Sequence, residues 1–311
     1  MTNTGSPLIS VIIPVRNAQH SIGLLLDSVA RLDYPSSQIE VIIVDNGSND
    51  DTRGVVARYP VVLLEETAIR SSYAARNRGV ARASGEILAF TDADCLVTPG
   101  WIREGIRLIQ DGSADLVGGR VEFFLSAGQP AAEIFDAASH MHSEELVAAQ
   151  KGAATANLFI RADVARRVGP FPDTVRSGGD MIWTKSAVRM GFRLAYAEDA
   201  VVRHPARKFR ELLRKGFRVG TGAPGIVRRN GASMGDLLKG ALRSSLPGGP
   251  GSLRRRVARC RFNISASTFL RVWMVSYVYG LAWASGVFSA FVRELVSQRR
   301  RETVTSESDK T

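Results

Sequence analysis

The first third of the chain alternates short apolar runs with segments of helical periodicity. Residues 10–15, 41–44 and 87–90 are runs rich in branched or large apolar side chains, and each is followed by polar residues. Pro14 is expected to close the first run. Runs of this length bounded by turn residues predict buried strands. Strands that alternate with helices favour a mostly parallel sheet, so residues 8–121 are predicted to form an α/β layer.

The helices between these strands are indicated by apolar residues three and four positions apart. Ile22, Leu25, Leu26 and Val29 share one helix face. Pro99 is expected to open a second helix in its first turn. Further elements are predicted as a strand at 116–121, helices at 130–150 and 178–190, and short strands at 193–196 and 200–203.

Two features within these later elements carry specific expectations. Gly118 and Gly119 fall inside the predicted strand at 116–121, and a glycine pair there permits the close approach of a ligand or another backbone. His140 and His142 are two positions apart and do not share a helix face. They are expected to be surface polar residues rather than metal ligands.

Asp92 and Asp94 directly follow the apolar run that ends in Thr91. In open α/β sheets, ligands bind at the carboxyl ends of the strands, so the polar segments there are expected to converge. Two carboxylates in a low-dielectric cleft repel each other unless a cation is present. Mg²⁺ takes such oxygen ligands and completes its shell with substrate phosphates. The motif therefore indicates a metal–diphosphate site and a nucleotide donor, with solvated loop acids as the alternative.

Four motifs occur in a fixed order along this part of the chain, at residues 10–17, 41–50, 73–79 and 92–94. In order and spacing they resemble the family 2 glycosyltransferases of the GT-A fold, over about residues 8–205. The resemblance implies an inverting, hexosyltransferase-type enzyme. Its donor would be a nucleotide-diphosphate sugar, with UDP or dTDP as the nucleotide, and its cofactor Mg²⁺ or Mn²⁺. The acceptor would be a lipid-linked or cell-surface glycan.

The resemblance also assigns roles to individual residues. It implies that Asp94 binds the metal with His204 as a further ligand, and that Asp92 contacts the ribose, or the metal through water. Asp45 would accept from the base N3–H, although Asp45 also suits an Asx turn with Gly47, and the two roles can coexist. Arg76 would approach the base or the phosphates, with a solvated helix charge as the alternative. The implied donor-binding residues are Pro14, Val15, Asn17, Asp45, Arg76, Asp92 and Ala93.

Asp180 is the candidate general base by the same resemblance. The alternative is a purely structural role, in which the Asp180 carboxylate interacts with the dipole at a helix N-terminus. The family usually carries Glu before this Asp, whereas this chain has Gly179, and Ile182 and Ser186 stand where an Asp and an Arg are usual. This departure puts the acceptor contacts in question. Asn157 and Gly179 are the expected acceptor or sugar contacts.

The charge distribution points to a further partner. The net charge of +11 is unevenly distributed over the 311 residues. Residues 203–261 contain sixteen Lys or Arg and two acids, which favours a polyanionic partner, either nucleic acid or an anionic membrane. No zinc pattern, helix-turn-helix signature or aromatic strand platform supports nucleic acid. Cys95 and Cys260 make no disulfide framework, as expected in a reducing compartment. No signal peptide is expected.

Two C-terminal segments favour the membrane. Phe209, Leu212, Leu213 and Phe217 form the apolar face of a basic amphipathic helix. Residues 272–292 carry no charge and are long enough to span a bilayer, which takes about 20 residues. Arginines flank both ends against the usual asymmetry, which favours an interfacial helix over a span. A core helix of a soluble protein is the remaining alternative.

The predicted organisation follows from these patterns. Residues 1–7 are a disordered lead, and 8–205 a catalytic domain with a nucleotide-binding half at 8–121 and an acceptor half at 122–205. Residues 206–297 are a basic helical membrane-associating region, and 298–311 a charged tail. The expected location is the cytoplasmic face of the cell membrane, peripheral or held by one C-terminal segment. A catalytically weak nucleotide-sugar binding protein and, less favoured, a nucleic-acid-binding protein are the alternative functions.

Overall fold

The structure is a computed structural model that describes residues 5–140, 142–149, 152–175, 177–229, 233–260 and 262–308, with backbone alone for 229 and 294–308. Residues 1–4 of the predicted lead and 309–311 of the predicted tail lie outside this description. The last helix extends to Ser308, so the tail residues before 309 are helical.

The chain divides into two compact units. The first takes the described residues within 1–124, 141–174 and 179–205, and the second those within 125–140, 175–178 and 206–311. The sequence analysis places residues 125–140 in the acceptor half of the catalytic domain. Their apolar side chains pack instead with those of the C-terminal helices.

The first unit is built on one mixed sheet, which has eight strands in the part of the chain described. The strands are β1 Ile9–Val15, β2 Ile39–Asp45, β3 Val62–Glu65, β4 Ile87–Thr91, β5 Leu96–Val97, β6 Leu116–Phe124, β7 Asn157–Arg161 and β8 Leu194–Pro205. Their order is β3-β2-β1-β4-β7-β6-β8-β5. The predicted mostly parallel α/β fold is confirmed, with β7 antiparallel to both of its neighbours and β5 antiparallel to β8.

Helices cover this sheet and form the second unit. In the first unit they are α1 Ile22–Val29, α2 Thr52–Val56, α3 Ser72–Arg82, α4 Trp101–Gln110, α6 Ser143–Ala148, α7 Ala162–Val168 and α8 Gly179–Arg189. The second unit contains α5 Ala131–Ser139, α9 Phe209–Arg229, α10 Met234–Ser244, α11 Pro250–Arg259 and α12 Ala266–Ser308. The single helix predicted at 130–150 is therefore two helices, α5 and α6.

Helix α3 packs closely against the sheet beside the carboxyl end of β1. The side chain of Ser71 caps the helix by accepting from the Tyr73 N–H. A Cβ at Gly79 would lie 2.5 Å from Cγ2 of Ile12 on β1, so only glycine permits this approach of helix to strand. The buried face of α3 includes Tyr73 and Arg76, which the packing holds at the carboxyl end of β1.

A buried asparagine at the start of β7 joins this strand to β6, β8 and α4. The Asn157 amide donates to the carbonyls of Arg120 and Ala200, both at 2.8 Å, and its Oδ1 accepts from Trp101 Nε1 at 2.9 Å. A Cβ at Gly119 would lie 2.4 Å from Asn157 Nδ2 and 2.5 Å from the Ala200 carbonyl oxygen. The glycine pair therefore makes room for another part of the protein.

Strand β8 takes the place of the two short strands predicted at 193–196 and 200–203. Strand β8 runs without interruption from Leu194 to Pro205, although Glu198 and Asp199 break the apolar pattern. The sheet absorbs these residues by a register shift, because Gly119 pairs with Ala197 and the next residue, Arg120, pairs with Val201.

A buried ion cluster holds the second unit together. The carboxylate of Asp136 is 2.8 Å from His140 Nδ1, 3.2 Å from Arg207 Nη1 and 3.4 Å from Lys215 Nζ. Burial works to raise the pKa of Asp136, but His140, Lys215 and Arg207 outweigh it and hold that pKa well below its usual range. Burial, reinforced by the Arg207 charge, lowers the pKa of Lys215 to about 7. His140 is thus mostly buried, and the expectation of a surface histidine is wrong.

Glycines bring two long helices of this unit into backbone contact. A Cβ at Gly220 of α9 would lie 2.1 Å from the carbonyl oxygen of Trp283 on α12. A Cβ at Gly286 would lie 2.2 Å from the carbonyl oxygen of Phe217. Small residues that let helix backbones approach in this way are typical of helix pairs in membranes.

Replacement of Asn157 by Ala should destabilise the first unit. The Trp101 N–H and two buried carbonyls would lose their partner, and each unsatisfied buried group costs about 1–3 kcal/mol. We expect a loss of ~2 kcal/mol or more, seen as a fall in Tm of about 4 °C or more. Thermal unfolding of the purified protein measures this. Asn49→Ala, at an exposed asparagine, should leave Tm unchanged, and an equal Tm for both variants would contradict the assignment.

Candidate active site

The predicted donor residues lie where β1 and β2 end side by side. Val15 pairs with Asp45 across the two parallel strands, and the Asn46 N–H donates to the Val15 carbonyl at 2.8 Å. Pro14 lies within β1, paired with Val44, rather than closing the strand. Because Pro14 and Val15 are both buried, their side chains shape this edge and present no polar atom to it.

The loops after these strands are tied together by short polar contacts. Asn17 has a left-handed backbone (φ 51°), and its Oδ1 accepts from the Asn49 N–H at 2.9 Å. The carboxylate of Asp45 is buried and accepts from both the N–H and the hydroxyl of Ser48. These bonds run to Ser48, three residues on, whereas the predicted Asx turn would bond Asp45 to Gly47. Each carboxylate oxygen can accept more than one hydrogen bond, so these bonds do not preclude contact with a base.

Arg76 is a buried cation at the centre of the site. Its side chain is 4% exposed, which contradicts a solvated helix charge. Nη2 lies 2.5 Å from Oδ1 of Asp92, and the guanidinium carbon lies 5.7 Å from the centre of the Tyr73 ring. Nε is buried and has no hydrogen-bond partner among the described residues. A buried guanidinium N–H without a partner is suited to an incoming anion.

Asp180 lies in the first turn of α8, close enough to Arg76 for the two charges to interact. Its Oδ1 accepts from the Met181 N–H at 3.0 Å and from the Tyr73 hydroxyl at 3.4 Å, and its Oδ2 from the Thr155 N–H at 3.4 Å. Burial raises the pKa of Asp180, while the Arg76 charge and the backbone hydrogen bonds work to lower it. A carboxylate with a raised pKa is a stronger base, as proton abstraction requires.

The carboxylate of Asp94 and the imidazole of His204 face each other. His204 Nε2 lies 3.7 Å from Asp94 Oδ1, and His204 Nδ1 is 2.7 Å from the carbonyl oxygen of Pro205. With the Nδ1 hydrogen on that carbonyl, the Nε2 lone pair is directed at Asp94, the arrangement that orients metal-binding histidines. Two ligands on one octahedral ion lie about 3–4 Å apart, so these residues fit a divalent cation.

Cys95 adds a third donor atom that the sequence analysis did not assign. Its sulfur, an Asp94 oxygen and a His204 nitrogen all lie within 4.8 Å of one another. Burial and the nearby Asp92 and Asp94 charges raise the pKa of the Cys95 thiol. The sequence signal that could have identified Cys95 is its position directly after Asp94. Ala93, between the two acids, packs partly buried against the core.

The two expected acceptor contacts have structural partners. Both amide hydrogens of Asn157 and its oxygen are bound inside the sheet, so the predicted sugar contact has no free amide hydrogen to support it. The Gly179 N–H donates to the Tyr73 hydroxyl at 2.9 Å. Tyr73 and Thr155 are site residues to which the sequence patterns assign no role, because both are uncharged, although Tyr73 opens the motif at 73–79.

Known proteins with similar sequences carry the same kind of domain. The profile of the family described as Glycosyl transferase family 2 matches residues 10–134. Glycosyltransferase AglE of Haloferax volcanii is 39% identical over 301 residues, which cover 94% of this chain and 99% of the relative. The pre-mycofactocin glycosyltransferase of Mycobacterium tuberculosis is 29% identical over 71% of this chain, which spans 48% of that relative.

The fold agrees with solved structures. Mannosyltransferase PcManGT from Pyrobaculum calidifontis, solved with GDP-Man and Mn²⁺, superposes with a TM-score of 0.56 at 19% identity. The superposition covers 97% of this chain and 81% of that one. With a full-length relative, a matching family profile and this fold, the chain belongs to the family 2 glycosyltransferases of the GT-A fold and is a glycosyltransferase enzyme.

Proposed function

We propose that the protein transfers a sugar, with inversion, from a UDP- or dTDP-sugar to a lipid-linked or cell-surface glycan. The observation that carries the proposal is the convergence of three groups at one sheet edge. These are the Arg76–Asp92 ion pair, the facing Asp94 and His204, and the partly buried Asp180. Together they offer a place for an anion, a metal and a base.

The donor would lie across the ends of β1, β2 and β4. Asp45 would accept from the base N3–H while its bonds from Ser48 stay in place, and the loop of Asn17 would border the base. Arg76 and Asp92 would hold the ribose and phosphates, since the Nε of Arg76 has no hydrogen-bond partner in the described part of the chain and can donate to the ligand. Fixing both ends of the nucleotide places the sugar C1 for attack.

Asp94 and His204 would hold Mg²⁺ or Mn²⁺. When bound, the ion neutralises the diphosphate as its bond to C1 breaks. The Pro205 carbonyl keeps the imidazole in the binding tautomer, and the 46% exposure of Asp94 leaves its carboxylate accessible from solvent. The raised pKa of Cys95 keeps its sulfur a thiol, so it would lie beside these two ligands without adding a thiolate to them.

Asp180 would act as the general base. The acceptor hydroxyl oxygen attacks C1 as its proton passes to the Asp180 carboxylate. The bond from C1 to the diphosphate oxygen breaks, and the nucleoside diphosphate leaves with that electron pair. A single displacement inverts the anomeric centre, so an α-linked donor gives a β-linked product.

A membrane surface would present the acceptor. The segment Ala266–Arg293 of α12 is long and apolar enough to cross a membrane, and 17% of its most apolar window is buried, unlike a soluble core helix. The second unit also exposes large apolar side chains at Phe209, Phe217, Leu242, Leu246, Leu270, Met274 and Val292. Together with the basic residues 203–261, this surface suits an anionic bilayer on the cytoplasmic side.

Asp94→Asn should nearly abolish transfer and weaken UDP binding in Mg²⁺ or Mn²⁺, because the metal loses its carboxylate. Isothermal titration with UDP and a product assay measure both effects. Asp111→Asn, outside the site, serves as the matched control. Activity that survives either Asp94→Asn or excess EDTA would remove the metal from the proposal.

Asp180→Asn should lower turnover by roughly 10²-fold or more, the usual scale for loss of a general base, with donor affinity near that of the unaltered protein. NMR of the product should show the inverted anomer. Equal losses of turnover and donor binding would make Asp180 a structural residue, and a retained anomer would exclude single displacement. Donor binding without any turnover in the unaltered protein would favour a nucleotide-sugar binding protein instead.

The full-length protein should sediment with membranes and resist a high-salt wash, because apolar burial is not screened by salt. Replacing the exposed Leu270 and Met274 by Glu should make this binding salt-sensitive. Leu24→Glu, at an exposed leucine of the first unit, should leave it unchanged. Unaltered protein that stays in the supernatant at low salt without detergent would show α12 to be a packing element.

A further inference from the structure

We propose that Tyr73 is a positioning residue for Asp180, whose carboxylate its hydroxyl orients, and that Gly179 is the residue that makes room for it. The inference rests on the proposed function, in which Asp180 is the base. It adds a residue from α3 to the reaction. It also explains why this chain has no side chain at the position before Asp180.

The Tyr73 hydroxyl lies between two atoms of the α8 N-terminus. It accepts from the Gly179 N–H at 2.9 Å, and its own hydrogen is then available to Asp180 Oδ1 at 3.4 Å. The tyrosine is 7% exposed, and the Ser71 cap and the Gly79 contact fix its helix. A donor that is itself held by a hydrogen bond is both oriented and polarised toward its acceptor.

The tyrosine ring occupies the space of a side chain at position 179. A Cβ built on Gly179 would lie 2.8 Å from both Cε2 and Cζ of Tyr73 and 3.0 Å from Cδ2. A methyl group at this position would have to push the ring aside, although the ring is buried and its hydroxyl is bound to the backbone of Gly179. Glycine at 179 and tyrosine at 73 are therefore one combined feature, with a phenol in the place where the family usually has a carboxylate.

A phenol has a different effect on the base from a second carboxylate. A neighbouring negative charge opposes ionisation of Asp180, whereas a hydrogen bond donated to the carboxylate favours it. Burial and the Asp180 charge raise the pKa of Tyr73 to about 12, so the hydroxyl stays neutral and keeps its hydrogen at physiological pH. The charged groups that face Asp180 are Arg76 on α3 and Asp92 after β4.

The test is Tyr73→Phe in the full-length protein, read as the pH profile of kcat. The carboxylate of Asp180 loses a donor, its pKa rises, and the acid limb moves to higher pH by about one unit, a tenfold change. At pH values on the acid limb, kcat should fall about tenfold, recover as the pH is raised, and leave the donor KM unchanged. Tyr59→Phe removes a hydroxyl that bonds to Asp27 at 2.9 Å, and it should leave the profile in place.

Gly179→Ala provides the second variant. Its methyl group must displace the Tyr73 ring, so it should move the acid limb in the same direction as Tyr73→Phe. The double variant should show no further shift beyond the larger single effect, because both changes break one contact. Independent, additive shifts would overturn the linkage between the two residues, as would a Gly179→Ala profile identical to that of the unaltered protein.

Asp180→Asn, measured in parallel, separates this inference from the proposed function. If Asp180→Asn is inactive and Tyr73→Phe lowers Tm without moving the acid limb, Tyr73 is structural and the base assignment stands. If Asp180→Asn keeps full turnover, the base assignment fails and the role of Tyr73 fails with it. A shifted limb together with an inactive Asp180→Asn supports both.

Discussion

The guanidinium of Arg76 is the charge on which the active-site edge depends. It is buried within hydrogen-bonding distance of Asp92 and opposes the rise that burial causes in the pKa of Asp180, so one cation acts on two acids from separate elements. Removing one partner of a buried ion pair is strongly destabilising, commonly by about 3–5 kcal/mol, because the other charge stays buried without compensation. The place of Arg76 depends in turn on Gly79, which seats α3 against β1.

The antiparallel strand β7 brings the remaining parts of the site together. Because β7 runs against β4, its first residue, Asn157, pairs with Thr91, and the segment before it enters beside the acidic motif. Thr155 in that segment donates its N–H to Asp180. A parallel strand would begin at the opposite edge of the sheet, far from Asp92. The direction of one strand therefore decides whether Asp180 and the acids that follow β4 meet.

The sequence predicts most of this sheet edge and little of what supports it. Strands β1, β2 and β4 are mostly apolar runs, and β2 and β4 lead into Asp45 and Asp92, so the strands and their candidate ligand residues can be inferred from periodicity and from parallel-sheet geometry. Strand β7 is only five residues long and is preceded by small polar residues, a pattern shared by strands and buried turns. The ring of Tyr73 and the carboxylate of Asp180 lie 107 residues apart. The Asp136 cluster similarly joins residues up to 79 positions apart, and no local pattern specifies such contacts.

The second unit combines residues 125–140 with residues that follow β8, so it cannot fold until late in synthesis. Ile134 and Phe135 on α5 share a core with Leu212, Leu253 and Val272, which a ribosome adds much later. At about 5–20 residues per second, α5 waits on the order of ten seconds for its partners. During that interval its apolar face and the carboxylate of Asp136 have no core to enter. A chain that ends prematurely after β8 would therefore contain every strand of the first unit but none of the helices that cover α5. The exposed apolar face of α5 would make such a chain a substrate for chaperones and proteases.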